Sequence, residues 1–255
     1  MSRMIGAAAV AAVLMASSAY AQTAQTAPAA APSTYNESLF VGVSAGGLMN
    51  TTLVTSRATA TVYGQEAALA ERRDVSGGVL VDLTAGKPIR GRLAVGVNVA
   101  LRSATSDSAI AASVPHPLFF GAPRTVATTA TDMKSTQTWI GVLAFYTLPS
   151  ASKLTVRVFG GPALAAVNHD TVGSFTATEG ASVTQPTIAI TKGSVSKQFW
   201  GATGGVDLSY RVNKSVGVGA FARYSGAQAN VTGAESGTLG GLEVGGGLRI
   251  SLTKK

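Results

Sequence analysis

The sequence predicts an all-β protein, an up-and-down antiparallel transmembrane β-barrel of eight strands with short periplasmic turns and long extracellular loops. Three observations support this fold class. Apolar residues alternate with small ones in segment after segment, and the connections fall into a short and a long class. Only 13% of the 255 residues are charged, while 30 are glycine. A chain of this length is sufficient for one complete barrel.

The N-terminus has the three parts of a secretory signal peptide at residues 1–21. One basic residue precedes an apolar run at 4–16, and Ala19 and Ala21 form a small-x-small cleavage site. A membrane anchor is the alternative, but the run is shorter than the ~20 residues that span a bilayer. Residues 22–37, rich in Ala, Pro and Thr, are expected to form a flexible leader.

Residues 92–102, RLAVGVNVALR, show the strand pattern most clearly. Leu and Val occupy every second position, so one face is aliphatic and the other is small. Seven further segments repeat the pattern: 38–47, 75–83, 136–146, 153–164, 200–211, 216–224 and 241–252. Each is near the ~9–11 residues of a tilted membrane strand, which assigns 38–253 to the barrel. The segment 136–146 is apolar on both faces, so its orientation stays open.

The connections between these segments alternate in length. The short ones are 85–91, 147–153 and 211–215, and the long ones are 48–74, 103–135, 165–197 and 225–238. Short turns at one end and long loops at the other are the layout of an outer-membrane barrel. Residues 51–63 and 184–194 are rich in Thr, Val and Ile. They predict either a β-arm above the bilayer or two more barrel strands, and both alternatives stay open.

The aliphatic face is expected to contact lipid, because 13% charged residues cannot supply the polar exterior of a soluble barrel. The other face then lines the lumen and carries these charged residues: Asp82, Arg102, Arg157, Asp207, Arg223, Glu243 and Arg249. An eight-strand barrel has room only for side chains, and an unpaired charge there is costly. We therefore expect an ionic network that plugs the lumen, with a narrow porin-like channel as the alternative.

Strand neighbours suggest how these charges pair. Arg157 is expected to meet Asp207, and Arg223 is expected to meet Glu243. Asp82 is expected to reach Arg249 across the first strand or to pair near the short-turn end. The sequence pattern indicates no partner for Arg102.

Motifs for an enzyme are weak. GVSAG at 42–46 matches the hydrolase nucleophile elbow, but Ser44 lies inside a strand pattern. The two histidines, His116 and His169, lie in long connections, and no metal or cofactor motif is present. We expect a non-enzymatic protein without catalytic residues, metal or cofactor. The alternative is a lipid A-modifying enzyme that uses His169 and Asp170 with a loop serine.

The stretch SVPHPLFFGAPR at 113–124 is unusual for an extracellular loop. It contains His116, Leu118, Phe119 and Phe120, and adjacent exposed apolar side chains can mark a contact surface. The alternative, which we favour, is that the loop folds back and buries them on the barrel rim. Basic residues do not gather with aromatic residues on one face, so a nucleic-acid partner is not expected.

Residues 38–252 resemble the small outer-membrane β-barrel family related to the transmembrane domain of OmpA, including the opacity-type porin family. The resemblance rests on the patterns VRVFGGPAL, GGVDLSYRVNKSVGVGAFARY and GLEVGGGLRISL. It implies a bacterial outer-membrane location, contact with outer-membrane lipids and lipopolysaccharide, insertion by the outer-membrane assembly machinery, and a monomer. It also implies a structural, surface-contact or narrow-channel role. The chain departs from the family by ending in LRISLTKK, without a terminal aromatic residue.

Overall fold

The computed structural model describes residues 37–49, 52–75, 77–149, 153–180, 185–229 and 237–253. The proposed signal peptide and nearly all of the leader lie outside these ranges. Within them the chain forms ten β-strands. They are β1 (Glu37–Leu48), β2 (Thr52–Val62), β3 (Gln65–Val75), β4 (Val79–Arg90), β5 (Leu93–Val114), β6 (Arg124–Thr147), β7 (Leu154–Thr178), β8 (Thr187–Arg211), β9 (Val216–Ala229) and β10 (Gly237–Thr253).

Eight of these strands close into a ring in the order β1-β4-β5-β6-β7-β8-β9-β10, with β10 pairing back onto β1. All of the pairings are antiparallel, which confirms the up-and-down barrel. β2 and β3 form a hairpin outside the ring, and β3 pairs with the upper part of β5. The β-arm alternative is therefore correct, and a ten-stranded barrel is not formed.

The strands are longer than the sequence pattern indicates. β5 has 22 residues and β8 has 25, so most of 103–135 and 165–197 is strand rather than loop. The predicted strand 75–83 begins later than expected: Val75 ends β3, and the membrane strand β4 begins at Val79. Gly77 and Gly78 adopt positive φ between them, which interrupts the extended backbone. The turn after β4 is equally tight and contains Gly91 at φ 58°.

The outward face of the ring is aliphatic, as predicted. Val81 and Leu83 are each 49% exposed, whereas Asp82 between them is 4% exposed and faces the lumen. The same alternation exposes Val43, Val95, Val97, Leu101, Val142, Leu208, Val218 and Leu248. Such a continuous belt of exposed Leu and Val is suited to lipid tails and not to water.

No helix in the described residues is long and apolar enough to cross a membrane.

The ambiguous segment 136–146 takes one definite orientation. Trp139 and Phe145 point into the lumen and are nearly fully buried, while Ile140 and Val142 face outward. Phe145 packs against the rings of Phe40 and Phe159 inside the lumen, whereas the branched aliphatic residues face lipid.

Above the lipid belt the strands continue as an extracellular part, which consists of β2, β3 and residues 103–114, 124–137, 167–178 and 187–199. Pairing between β6 and β7 ends at Ser135 and His169, and pairing between β8 and β9 ends at Gly201 and Ala227. Beyond these levels, β2, β3, β5 and β6 form one sheet beside the β7–β8 hairpin. An apolar cluster lies between them: Ala67, Leu69, Ile110, Ala130, Met133, Val172 and Phe175.

Glycine in the barrel wall makes room for large lumen side chains. A Cβ atom built on Gly86 would lie 2.3 Å from the ring carbon Cζ of Phe40, which belongs to the neighbouring strand β1. Phe40 also packs edge-on against Phe145, with ring centroids 5.1 Å apart. The Phe40 ring therefore occupies the space that a side chain at position 86 would need.

The substitution Gly86→Ala is expected to destabilise the barrel by about 1–3 kcal/mol, because it overpacks the Phe40 ring. The urea midpoint of tryptophan fluorescence in detergent micelles measures this loss. Gly160→Ala is the matched control, since a Cβ there has no atom nearer than 3.6 Å. Equal midpoints for the two variants would contradict the packing argument.

Candidate functional site: the ionic plug of the lumen

Arg223 of β9 is at the centre of a buried ionic network. Its Nη1 donates to Asp82 Oδ2 at 2.5 Å, and its Nε donates to Glu243 Oε2 at 2.7 Å. Nη1 also donates to Asn98 Oδ1 at 3.0 Å. Glu243 lies directly opposite Arg223 in the β9–β10 register, as expected for a cross-strand ion pair.

The network extends to a second arginine. Arg102 forms an ion pair with the other oxygen of Glu243 and donates to Gln137 at 3.2 Å. Its guanidinium also lies 4.6 Å from the centre of the Trp139 ring. Two arginines and two carboxylates thus balance in charge inside the barrel, and all four side chains are at most 6% exposed.

Two neutral residues complete the network, and sequence reasoning missed both. Asn98 Nδ2 donates to Asp82 Oδ2 at 2.7 Å and to Thr84 Oγ1 at 2.8 Å. Gln137 Oε1 accepts from the Trp139 indole as well as from Arg102. The two-residue periodicity of the strands could have identified them, because Asn98 and Gln137 fall on the small, inward face of their strands.

A second group of charges lies nearer the short turns. Arg249 Nη2 donates to Asp207 Oδ1 at 2.6 Å, and Arg249 Nη1 donates to Ser44 Oγ at 2.7 Å. Asp207 lies directly opposite Arg157 in the β7–β8 register, at the level that the sequence indicated. The guanidinium carbon of Arg157 lies 4.2 Å from the centre of the Phe40 ring.

The expected contact between Asp82 and Arg249 is not formed. Asp82 pairs with Arg223, and Arg249 pairs with Asp207. The prediction assumed that charges pair only with nearby strands of the barrel wall. Arg223 instead reaches across the lumen from β9 to β4, which is three strands away in the ring. The lumen of a small barrel is narrow enough for one arginine to bridge it.

Little space remains around these side chains. A residual cavity of about 30 Å³ is bordered by Asp82, Asp207 and Arg249, and another of about 20 Å³ lies near Arg157 and Ser209. Cavities of this size hold at most a few water molecules. These two cavities therefore leave little free volume beside the charged side chains.

The extracellular tip is exposed, so the alternative of a buried loop is wrong. Leu118, Phe119 and Phe120 are 71%, 63% and 91% exposed. The His116 ring contacts the Phe119 ring with centroids 4.8 Å apart, and His116 Nδ1 accepts from the Leu118 amide. Short local contacts of this kind set the loop conformation without covering its apolar side chains.

Three residues tie the tip to the neighbouring strands, and we call them the tip clasp: Tyr63, Arg124 and Glu179. Both oxygens of Glu179 accept from Arg124, the closer contact being 2.6 Å, and the Tyr63 hydroxyl donates to Glu179 at 2.9 Å. Arg124 also donates to the Pro115 carbonyl at 2.8 Å. The hydrogen bonds from Arg124 and then from Tyr63 lower the pKa of Glu179 to about 2.

The residues considered for catalysis do not form a complete triad. Ser44 lies within β1 rather than on a strand-to-helix turn. Ser135 Oγ lies 2.7 Å from His169 Nδ1, but no acid in the described residues hydrogen-bonds to the other ring nitrogen. Asp170 instead accepts from the Lys134 amide. No cluster of His, Asp and Glu in the described ranges could hold a metal ion.

The closed ring, the exposed aliphatic belt and the short turns at one end define the class of protein: the chain is a transmembrane β-barrel of the bacterial outer membrane.

The chain is similar to several solved outer-membrane proteins. Neisserial surface protein A is 17% identical with a TM-score of 0.43, and the match covers 84% of this chain and 97% of that one. OprG from Pseudomonas aeruginosa is 9% identical with a TM-score of 0.41, covering 86% and 98%. Ail, the attachment invasion locus protein of Yersinia pestis, is 10% identical with a TM-score of 0.35, covering 84% and 99%. No protein-family description and no curated protein matches the sequence.

The substitution Arg223→Met is expected to destabilise the barrel by about 3–5 kcal/mol, because it leaves Asp82 and Glu243 buried without their shared cation. The urea midpoint in detergent micelles measures the change. Arg90→Met is the control, since Arg90 is exposed at the end of β4, and it should shift stability by less than about 0.5 kcal/mol. A similar loss in both variants would show that the buried pairing is not responsible.

Proposed function

We propose that this protein is a non-enzymatic outer-membrane barrel with a structural and surface-contact role. Its lumen is sealed by the ionic network, and its extracellular part presents the apolar tip at 118–120. The observation that carries the proposal is the bridge from Arg223 to Asp82 and Glu243, which spans the lumen and is almost fully buried.

The sealed lumen favours a contact role over a channel. The charged groups of Arg102, Arg223, Asp82 and Glu243 pair with one another, although Arg102 Nε and Arg223 Nη2 have no hydrogen-bond partner in the described part of the chain. The two cations and two anions cancel, so the network offers no net charge to a passing ion. Opening a path would require these pairs to separate in a poorly hydrated space, which is costly. The neighbouring cavities of about 30 and 20 Å³ are too small to provide a continuous water path.

The extracellular part supplies a firm support for the tip. The tip clasp joins the β2–β3 hairpin, the start of β6 and the end of β7, and the apolar cluster below fixes these strands together. A contact surface held in one conformation loses less entropy on binding than a free loop does. Exposed phenylalanine rings on such a support can provide the apolar centre of a contact.

The surroundings of the protein follow from the same arrangement. The aliphatic belt contacts outer-membrane lipid, and the extracellular part extends through the lipopolysaccharide layer. The closed ring has no free edge at the level of the belt, so a monomer is the form we propose. Insertion depends on the outer-membrane assembly machinery.

In planar bilayers the wild-type barrel is expected to show no stable open conductance, because the bridged charges close the lumen. Single-channel recording in potassium chloride is the measurement. A quadruple variant, in which Asp82, Arg102, Arg223 and Glu243 are all replaced by Ala, removes two acids and two bases and so leaves no unpaired charge in the network. It should gain conductance. A stable open level in the wild type would refute the sealed lumen.

The tip clasp is expected to persist at mildly acidic pH. Since the pKa of Glu179 is lowered from 4.5 to about 2, the clasp is fully present above pH 4.5 and is lost only as the pH falls through about 2. The NMR signals of the Tyr63 ring, followed from pH 7 downward, report this loss. In the Glu179→Gln variant the Tyr63 signals should lack this transition, whereas the Glu66→Gln control should keep it. A wild-type midpoint near 4.5 would contradict the contact.

A further inference from the structure

Three side chains of the extracellular part have buried polar atoms without hydrogen-bond partners among the described residues, and of the three Arg73 is the fully buried one. All three guanidinium nitrogens of Arg73 are in this state, together with Ser106 Oγ and His169 Nε2. Arg73 has no exposed surface at all. Buried polar atoms of native proteins are nearly always satisfied. Arg102 and Arg223 each have one unpartnered nitrogen but form buried ion pairs through the others, whereas Arg73 has no hydrogen bond at all within the described ranges. This difference indicates that Arg73 has a partner other than the chain itself.

The strand registers place these atoms at neighbouring levels of the interior. Arg73 lies on the same face of β3 as Glu71, and Glu71 accepts from Ser108, which shares a face of β5 with Ser106. On the next strand, Met133 faces Ser106 and Ser135 faces His169. The layer lies between the apolar cluster above and the ionic plug below.

Neither Glu71 nor Asp170 accepts a hydrogen bond from Arg73, although the charges of both acids act on it. Glu71 Oε2 accepts from Ser56 Oγ at 2.5 Å and from the Val172 amide at 3.3 Å, and Glu71 Oε1 accepts from Ser108 Oγ at 2.8 Å. Most of the acceptor capacity of this carboxylate is therefore taken up by other donors. A guanidinium cannot lose its proton to escape burial, so Arg73 remains a buried cation with five unused donors.

We propose that this layer is a binding site for a small oxyanion of the phosphate or sulfate class. The two-pronged guanidinium of Arg73 matches two oxygens of such an anion. Ser106 adds a hydroxyl donor. His169 adds a third donor, because an Nδ1 that accepts from Ser135 leaves the proton on Nε2. The site goes beyond the proposed contact role and does not depend on it.

We expect an anion to enter from the extracellular side. Within the described residues, the backbone pairing of β6 with β7 stops at Ser135 and His169, which is the level of the site. Above this point the Lys134 amide donates to the Asp170 side chain, and Asp132 adopts a φ of 55° where the β5–β6 register shifts. This route does not cross the ionic network.

The charge of a bound anion would be felt at His169. Burial and the charge of Arg73 lower the pKa of His169 to about 4, while Asp170 and Glu71 act in the opposite direction. An added negative charge beside Arg73 opposes the effect of that cation and raises the pKa. The chain has two histidines, so His116, which lies in the extracellular tip, serves as an internal reference.

The test uses the purified barrel in detergent micelles free of phosphate, with sodium sulfate or phosphate added at constant ionic strength and chloride as the balancing salt. NMR of the two histidine rings follows the titration. Saturable movement of the His169 signals is expected, with a pKa raised by about half a unit or more. The His116 signals should stay unchanged.

Two neighbouring variants separate a site from a general salt effect. Arg73→Met should abolish the saturable response, and Arg72→Met should retain it, because Arg72 is the adjacent residue on the exposed face of β3. If Arg73→Met does not fold, Ser106→Ala should weaken the apparent affinity at least about threefold, which is the loss of one hydrogen bond. A linear response, an equal response to chloride, or an unchanged response in the Arg73 or Ser106 variant would overturn the proposal.

Discussion

The bridge from Arg223 to Asp82 and Glu243 is the interaction on which the barrel interior depends. It joins β9 to β4 across the lumen and to β10 along the wall, so it fixes the spacing of strands that are far apart in sequence. A buried guanidinium requires both carboxylates, and each carboxylate requires its other donors, Asn98 and Arg102. Removal of any member leaves charge unpaired in the others, which couples the whole network.

The network in turn determines where small residues must lie. Long arginine and aromatic side chains cross the lumen, so the wall beneath them has to be glycine or alanine, as Gly86 is beneath Phe40. The outward face has no such restriction and carries Leu and Val against lipid. The alternation of aliphatic and small residues therefore reflects two different constraints, solvation by lipid on one face and steric space on the other.

Period two was sufficient to predict the ring, its outward face and the inward direction of every charged lumen residue. It could not predict the pairs across the lumen. Sequence order shows which strands are neighbours in the wall, but the distance across the lumen depends on the width of the closed barrel. Arg102 shows this most clearly, since its partner Glu243 is 141 positions away. The sequence predicted the β2–β3 hairpin only as one of two alternatives, because the docking of β3 onto β5 leaves no periodic signal of its own. The polar layer around Arg73 could not be anticipated either, since nothing in the sequence shows which loop residues become buried.

The unbroken length of β7 and β8 has a mechanical consequence. Each strand runs through 25 residues from the short-turn end to the extracellular part, and the two are hydrogen-bonded along nearly their whole length. A pull on their shared extracellular end moves both strands together along the strand direction. It therefore loads in shear the bonds that join the hairpin to β6 and β9, and many of these bonds must break together before the hairpin slides. The hairpin therefore resists being drawn out of the ring along its own length.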